Sequence, residues 1–361
     1  MSVIHQISLN GTFCEAFFFN LSPTDILNDF DNYLNIENSC FKTIDKNVLN
    51  NIKNKKLTLI IKLTNEGDIG EMALKIFQKL LNHYGIPNDK CILIHDSYRL
   101  PQTSIKNYQI HTHLYSKSQE ANELDSKNKL NKSIIKNKKY RFHLPIRKFR
   151  YHRLLLLDKL YSDYPDFIDS NLVSYDINAQ LNIKSLNSFD GTKIFKKYLT
   201  STITKFIDTD NIENLDGYGY ENKDTYFNSY FTIVTETYFF EPYYYISEKT
   251  FKPIAHIHPF IILGRPGMIE YLKKFGFKTF HPFIDESYDL EENDGKRFEM
   301  VYNEIVKLNE LSDEELDNFM DKIKDILYYN QQKLLQIGGQ TKMISKLNRY
   351  IIKNLDNKNL I

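Results

Sequence analysis

Three consecutive residues, Ser247, Glu248 and Lys249, have the types and the order expected at the start of a phosphate-binding helix. Serine is a preferred N-cap, and the apolar residues after it have helical spacing. A helix N-terminus offers free backbone N–H groups and a partial positive charge, so it favours a phosphate. Lys249 would add a full charge, and Glu248 can accept hydrogen bonds from a ribose diol. An ordinary capped and solvated helix end has the same pattern, so both interpretations stay open.

A second polar set lies before this helix in the chain. Glu236 and Thr237 follow the apolar run 231–234, which predicts a β-strand that ends at these residues. Ligands of parallel α/β sheets bind beyond the carboxyl ends of the strands, so both side chains are placed to contact a ligand. The aromatic loop 238–246 comes next. We expect Tyr245, or a near neighbour in this loop, to line the same site, because aromatic rings suit a base or a sugar face.

A third candidate set is a basic cluster at a predicted turn between a strand and a helix. Arg147, Arg150 and Arg153 lie between the apolar run 142–144 and the helical segment 154–160. Guanidinium groups beside helix N–H groups commonly hold a diphosphate. A solvated or ion-paired turn is the alternative. Two cationic helix starts in one half of the chain favour the diphosphate site.

A parallel sheet is needed to position these residues, and the pattern of elements predicts one. Over 231–280, strands and helices alternate as in a βαβαβ unit, with the last strand at 277–280. The first half of the chain contains another βαβ unit, formed by strand 56–63, helix 69–84 and strand 90–95. The sequence therefore predicts an α/β protein with two Rossmann-like domains.

The stretch 235–263 resembles the donor-binding half of the fucosyltransferases of glycosyltransferase family 10. That family's pattern runs F-E-N-S, a short spacer, Y-x-T-E-K, a helix and a P-V strand. Here Thr235–Thr237 stands where E-N-S would be, and 246–249 (ISEK) stands for x-T-E-K. The family's Asn is Thr237 in this chain, and the spacer is longer. The segments SEKTFKPIA, PFIILGRPG, GFKTF and DESYD also resemble glycosyltransferase-like proteins of phages and large viruses.

The resemblance implies a GT-B fold, which has two Rossmann-like domains and C-terminal helices that cross back onto the first. It implies an inverting, metal-independent enzyme that moves a sugar from a nucleotide-diphosphate donor to a hydroxyl of a glycan or another acceptor. A GDP-sugar such as GDP-fucose is the favoured donor. The nucleotide sugar is then a substrate, and no cofactor is implied.

Site residues follow from the same resemblance. Arg153 is the closest match to the family's phosphate-binding arginine before a helix, with Arg147 and Arg150 as second choices. An inverting reaction needs a carboxylate from the first domain to deprotonate the acceptor hydroxyl. Glu66, at a predicted strand end, is the first choice for this base and Asp96 is the reserve. The predicted catalytic residues are Glu66, Arg153 and Glu248.

The domain boundaries are expected near 140 and 335. Residues 1–140 form the predicted acceptor domain, with the polar segment 117–139 as a linker or mobile flap. Residues 141–335 form the nucleotide-sugar domain, and 336–361 form a helical tail. A capping box at Ser312 and Glu315 predicts the long helix that precedes this tail.

Composition restricts the class of protein. The net charge of +1 indicates no general affinity for nucleic acid or anionic membranes. Segment 117–139 is interrupted by acidic residues and has no aromatic residues, which argues against nucleic-acid binding. The three cysteines are far apart and suit a reducing compartment. No apolar run is long enough to cross a membrane, so we expect a soluble, cytoplasmic protein.

Two alternative functions stay open, and other chemistries are disfavoured. The acidic turn 285–289 lacks a D-x-D motif at a strand end, so we expect no metal site. A phosphate-ester hydrolase or kinase would need a P-loop or a metal-binding carboxylate set. A non-catalytic nucleotide-sugar or glycan-binding module would keep the phosphate-binding residues. A glycosyltransferase acting on nucleic-acid bases would need a basic groove, which only 127–139 can supply.

Overall fold

The chain forms two compact units in the computed structural model. The first comprises 1–116, 241–246 and 337–361, and the second comprises 117–240 and 247–336. The structure describes residues 3–9, 12–20, 46–54, 58–63, 71–111, 113–114, 117–118, 121–122, 136–146, 150–174, 224–240, 244–337, 346–347 and 349–350.

The first unit is built on a five-stranded sheet with strand order β1-β2-β3-β4-β5. The strands are β1 Val3–Leu9, β2 Thr12–Asn20, β3 Thr58–Leu63, β4 Cys91–His95 and β5 Lys106–Gln109. Its described residues include the helices α1 Lys46–Lys53 and α2 Glu71–His83, followed by a 3-10 turn at Asn88–Lys90. β1 and β2 are antiparallel, and all other pairings are parallel. β4 is buried along its whole length, as its continuous apolar run predicts.

The C-terminal segment belongs to this first unit. Leu347 and Tyr350 pack against a buried cluster that includes Ile60 of β3 and Ile92 of β4. The hydroxyl of Tyr350 donates a hydrogen bond of 2.5 Å to the carbonyl of Asn107 in β5. These C-terminal residues thus add to the core of the first unit, which agrees with the predicted return of the C-terminus.

The second unit contains a four-stranded, fully parallel sheet with strand order β7-β6-β8-β9. The strands are β6 Tyr140–Pro145, β7 Leu172–Ser174, β8 Ser229–Thr235 and β9 Phe260–Leu263. The helices are α3 Tyr151–Asp163, α4 Phe167–Ser170, α5 Asp224–Asn228, α6 Glu248–Ala255, α7 Met268–Lys274, α8 Asp294–Glu310 and α9 Asp313–Ile337, with a 3-10 turn at Ser287–Leu290. The predicted α/β class with two Rossmann-like sheets is confirmed.

The strand order places a topological switch between β6 and β8. From β6 the chain runs through α3 to β7 on one side, and from β8 it runs through α6 to β9 on the other. The two connections leave the sheet in opposite directions, which opens a crevice at the carboxyl ends of β6 and β8. The segments after these two strands carry the predicted basic and SEK residues.

One prediction about local structure is wrong. Residues 277–280 do not form a strand, because side chains occupy their backbone groups: Asn330 bonds both the N–H and the carbonyl of Lys278, and Glu286 accepts from the N–H of Phe280. Helix α1, which spans 46–53, was not among the predicted elements. The predicted capping box is confirmed, since Ser312 N donates to Glu315 Oε2 at 2.8 Å and Glu315 N to Ser312 Oγ at 3.2 Å.

Candidate nucleotide-binding site

The predicted N-cap of α6 is confirmed. Ser247 has an extended backbone, and its Oγ accepts a hydrogen bond from Lys249 N at 3.3 Å. Pro253 lies inside α6, which ends two residues later at Ala255. The first turn of α6 thus begins at the crevice and carries Glu248 and Lys249.

Glu236 is fully buried and fixes the start of α6 to the end of β8. Its carboxylate accepts hydrogen bonds from Thr250 Oγ1 at 2.6 Å and from Ser247 N at 3.2 Å. The N–H of Thr237 donates to the same carboxylate at 3.2 Å. A carboxylate at a helix N-terminus complements the helix dipole, so Glu236 holds the SEK segment in place.

The buried pair His152 and Arg153 binds the backbone at the end of β8. Arg153 Nη2 donates to the carbonyls of Thr235 at 2.9 Å and Glu236 at 3.0 Å. His152 Nε2 donates to the Glu236 carbonyl at 2.9 Å. Burial lowers the pKa of His152 well below its usual value, and the nearby charges of Arg153, Arg150 and Lys249 lower it further. His152 is therefore neutral, and three cations are close enough to influence it.

Arg150 and Lys249 are the half-buried cations of the site. Arg150 is the N-cap of α3, and its guanidinium lies 5.4 Å from the ring centroid of Tyr238. Lys249 Nζ donates to Ser247 Oγ at 3.1 Å and to Glu248 Oε1 at 3.2 Å. Two helix N-termini and their cations thus meet at the carboxyl ends of β6 and β8.

The loop after β8 is held by a buried arginine that the sequence did not single out. Arg297 of α8 is 1% exposed, and its Nη2 donates to the Phe239 carbonyl at 3.0 Å. The Phe239 ring lies under the Arg297 guanidinium at 4.5 Å and stacks on the His152 imidazole at 5.5 Å. No local sequence motif indicates this role of Arg297, because the guanidinium donates hydrogen bonds to backbone carbonyls that are distant in the chain. Neither His152 nor Arg297 was among the predicted site residues.

The other predicted residues lie elsewhere or outside the described part of the chain. Glu66 and Arg147 are outside the described residues. Tyr245 belongs to the first unit, where its buried ring packs edge-on against His113 at 5.8 Å. Asp96 follows β4 in the first unit and is 3% exposed. Their roles toward a donor or acceptor stay predictions.

The acidic turn 285–289 stabilises the second unit. Asp289 accepts hydrogen bonds from the N–H groups of Ile269 and Glu270, both at 3.0 Å, at the start of α7. The pKa of Asp289 is raised overall, because burial raises it by more than these hydrogen bonds lower it. The carboxylate that pairs with Arg297 lies outside this turn and is that of Asp294, at 2.5 Å. Within the described residues, no group of three or more His, Cys, Asp or Glu side chains is arranged to hold a metal ion.

Glu236→Gln is expected to destabilise the second unit by about 1–2 kcal/mol, because the amide loses charge-assisted bonds to the α6 N-terminus. Urea denaturation followed by circular dichroism measures this change. Glu314→Gln, in the exposed first turn of α9, is the control and should leave the free energy of unfolding within about 0.5 kcal/mol of wild type. Equal stability of the two variants would show that the Glu236 carboxylate contributes nothing to the helix start.

Comparisons with known proteins found only a distant likeness. No protein-family model and no curated protein matches the sequence. The UDP-forming trehalose-phosphate synthase of Burkholderia xenovorans is similar at 8% identity and a TM-score of 0.43, over 99% of this chain and 90% of that one. A structure described as apo OtsA has 10% identity and a TM-score of 0.39, over 98% of this chain and 89% of that one.

The Burkholderia multivorans trehalose 6-phosphate synthase has 8% identity and a TM-score of 0.40, over 83% of this chain. This chain spans 66% of that enzyme, just under two thirds of its length. Likeness at this level carries no information about the site.

A helix that crosses a bilayer must be both long and apolar. None of the described helices combines the length and the apolar character needed to cross a bilayer.

Proposed function

We propose that this protein is a GT-B glycosyltransferase that moves a sugar from a nucleotide-diphosphate donor to a hydroxyl acceptor. One observation carries the proposal: the N-termini of α3 and α6, with Arg150, Arg153 and Lys249, converge at the switch point of a parallel sheet. Helix N-termini and cations at such a crevice suit a diphosphate. The two Rossmann-like units and the C-terminal return support the GT-B assignment.

The cations would act on the leaving group. When the bond between sugar and phosphate breaks, negative charge grows on the diphosphate, and fixed positive charge there lowers the barrier. Arg150 and Lys249 are the groups to supply it, since Arg153 already bonds two backbone carbonyls at the end of β8. Glu248, which pairs with Lys249, is proposed to accept hydrogen bonds from the ribose hydroxyls.

The finer features of the reaction rest on the family resemblance. We propose GDP-fucose or a related GDP-sugar as the donor, inversion at the sugar carbon, and no need for a metal ion. Glu66 is the proposed base for the acceptor hydroxyl, with Asp96 in reserve.

A nucleic-acid acceptor is less well supported. Lys138, in the segment that would have to form a basic groove, is half-buried, and its Nζ donates to the carbonyls of Tyr226 and Phe227 at 3.0 Å. Burial lowers the pKa of Lys138 to about 8. This lysine caps the end of α5 and is committed to the interior of the second unit.

Lys249→Ala is expected to weaken binding of a nucleoside diphosphate by about 10- to 100-fold, because a charge-assisted contact to phosphate is lost. The measurement is a thermal-shift screen against GDP, UDP, CDP and their sugar conjugates, since a ligand of the native state raises the melting temperature. The matched control is Lys274→Ala, which removes an exposed lysine paired with Glu270 on α7. It should bind like wild type.

The outcomes separate the candidate functions. A shift with one nucleotide that Lys249→Ala abolishes, together with release of that nucleoside diphosphate during transfer, supports the enzyme. Binding without transfer to any glycan supports the non-catalytic module. A folded wild-type protein that responds to no nucleotide contradicts the donor site.

A further inference from the structure

A partly exposed aromatic surface borders the cationic site. Phe240 is 36% exposed, and its ring contacts Tyr151 at a centroid distance of 5.3 Å and Phe239 at 4.8 Å. Tyr151 is the first residue of α3, directly after Arg150. Tyr238, two residues before Phe240, lies under the Arg150 guanidinium. Tyr151, Tyr238 and Phe240, which we name the aromatic surface, therefore lie beside the helix start that supplies Arg150.

The backbone beneath this surface is held firmly. The Phe239 carbonyl accepts hydrogen bonds from Arg297 Nη2 at 3.0 Å and from Arg265 Nη1 at 3.4 Å. The Phe239 ring is fully buried between His152 and Arg297. Because Phe239 is fixed in the interior, the next residue, Phe240, is presented outward by a rigid segment. A preorganised aromatic side chain loses little entropy when a ligand stacks on it.

The composition of the surface indicates what binds there. Aromatic rings and an arginine together suit a planar, electron-rich ring, since bases stack on aromatic faces and on guanidinium planes. The surface adjoins the groups proposed to hold a diphosphate. A nucleoside diphosphate carries both parts, a planar base and an anion, separated by a ribose.

We propose that the aromatic surface is the nucleobase subsite, in which the base stacks on the ring of Phe240. This inference rests on the proposed nucleotide-diphosphate donor and deepens it. Tyr245, the aromatic residue expected from the sequence, packs against His113 in the first unit and is not needed for this subsite.

The chain contains no tryptophan, so Phe240→Trp introduces a single fluorescent reporter at the subsite. Titration with GDP, UDP or CDP should quench its emission, because a stacked base is in direct contact with the indole. Inorganic pyrophosphate, which binds the cations but has no base, should leave the emission unchanged. The control is Tyr161→Trp. Tyr161 is 37% exposed and lies about 15 Å from Tyr151 along α3, so the emission of a tryptophan there should respond to neither probe.

Affinity provides the second measurement. Phe240→Ala should weaken binding of the nucleoside diphosphate by roughly 5- to 150-fold, the range for loss of one base–aromatic stack, and leave pyrophosphate affinity unchanged. Lys249→Ala should weaken the binding of both the nucleoside diphosphate and pyrophosphate. Phe240→Leu keeps an apolar side chain without a π face and should behave like Phe240→Ala, which separates stacking from loss of packing.

Two results would overturn the inference, and they are distinguishable. If wild type binds nucleotides through Lys249 while Phe240→Ala and Phe240→Leu bind them equally well, the subsite is wrong and the donor site stands. If the folded wild-type protein binds neither nucleotides nor pyrophosphate, the proposed donor site fails and the subsite fails with it.

Discussion

Arg297→Met is expected to destabilise the second unit by about 3–5 kcal/mol, because it removes a fully buried guanidinium that bonds three backbone carbonyls and a partly exposed carboxylate. Arg297 donates to the carbonyls of Gly264, Glu291 and Phe239 at 2.8–3.0 Å and pairs with Asp294. Methionine fills a similar volume but donates no hydrogen bond. Three carbonyls and a carboxylate would therefore lose a partner inside the protein.

Urea denaturation of the Tyr161→Trp background measures this effect, since its only tryptophan reports on the second unit. Arg297→Lys keeps the charge but cannot reach all four acceptors, so its loss should be intermediate. Lys296→Met, at an exposed neighbour in α8, should change the free energy of unfolding by less than about 0.5 kcal/mol. A loss below about 1 kcal/mol for Arg297→Met would contradict the role assigned to Arg297.

A fall in pH from 6.5 to 4 should cost the first unit roughly 3 kcal/mol through His95 alone. Burial lowers the pKa of His95 to about 4, and burial together with His95 and His113 lowers the pKa of His111 to about 3. Both values lie below that of an unfolded histidine, near 6.5. The unfolded chain therefore takes up protons first. The contribution of these neutral histidines to the stability of the first unit is therefore fully present above pH 6.5 and is lost as the pH falls toward 4.

Hydrogen exchange of the β4 amides at pH 7 and 4.5, corrected for intrinsic rates, tests this in the first unit. His95→Asn should reduce the difference in opening free energy between the two pH values by about 2–3 kcal/mol. His83→Asn, at the exposed end of α2, should leave the difference unchanged. The carboxyl of Asp285, in the second unit, is not expected to contribute. Hydrogen bonds from Ser287 lower its pKa, so it takes up a proton only at more acidic pH. The same pH dependence in wild type and His95→Asn would refute this account.

Arg297 also holds the loop at the carboxyl end of β8, which carries part of the candidate site. In the second unit, Arg297 fixes Phe239, whose ring stacks on His152, and His152 in turn bonds the Glu236 carbonyl. Loss of Arg297 should therefore disturb the candidate site as well as stability. Thermal-shift titration of Arg297→Lys with the nucleotide identified for wild type measures that consequence, and a weaker response is expected.

Local patterns were enough to predict much of this protein. The continuous apolar runs predicted β4, β8 and β9, because strands buried on both faces need no polar alternation. Ser247 and the box formed by Ser312 and Glu315 were recognised as caps, since capping depends on side chains within three residues of the helix start. Segment 277–280 was misread because its backbone partners, Asn330 and Glu286, are side chains that no local pattern connects to it.

The α/β class, the helix starts and the chemical types gathered near residues 147–153 and 235–249 were predictable, because they depend on periodicity and on neighbours in the chain. Which of those groups bond the backbone and which face the crevice became visible only in the folded chain. Arg153 and Glu236 are buried against elements more than ten residues away, while Arg150 and Lys249 stay half-exposed. The physical reason is that burial and hydrogen-bond partners are set by contacts between distant segments, which spacing along the chain does not encode.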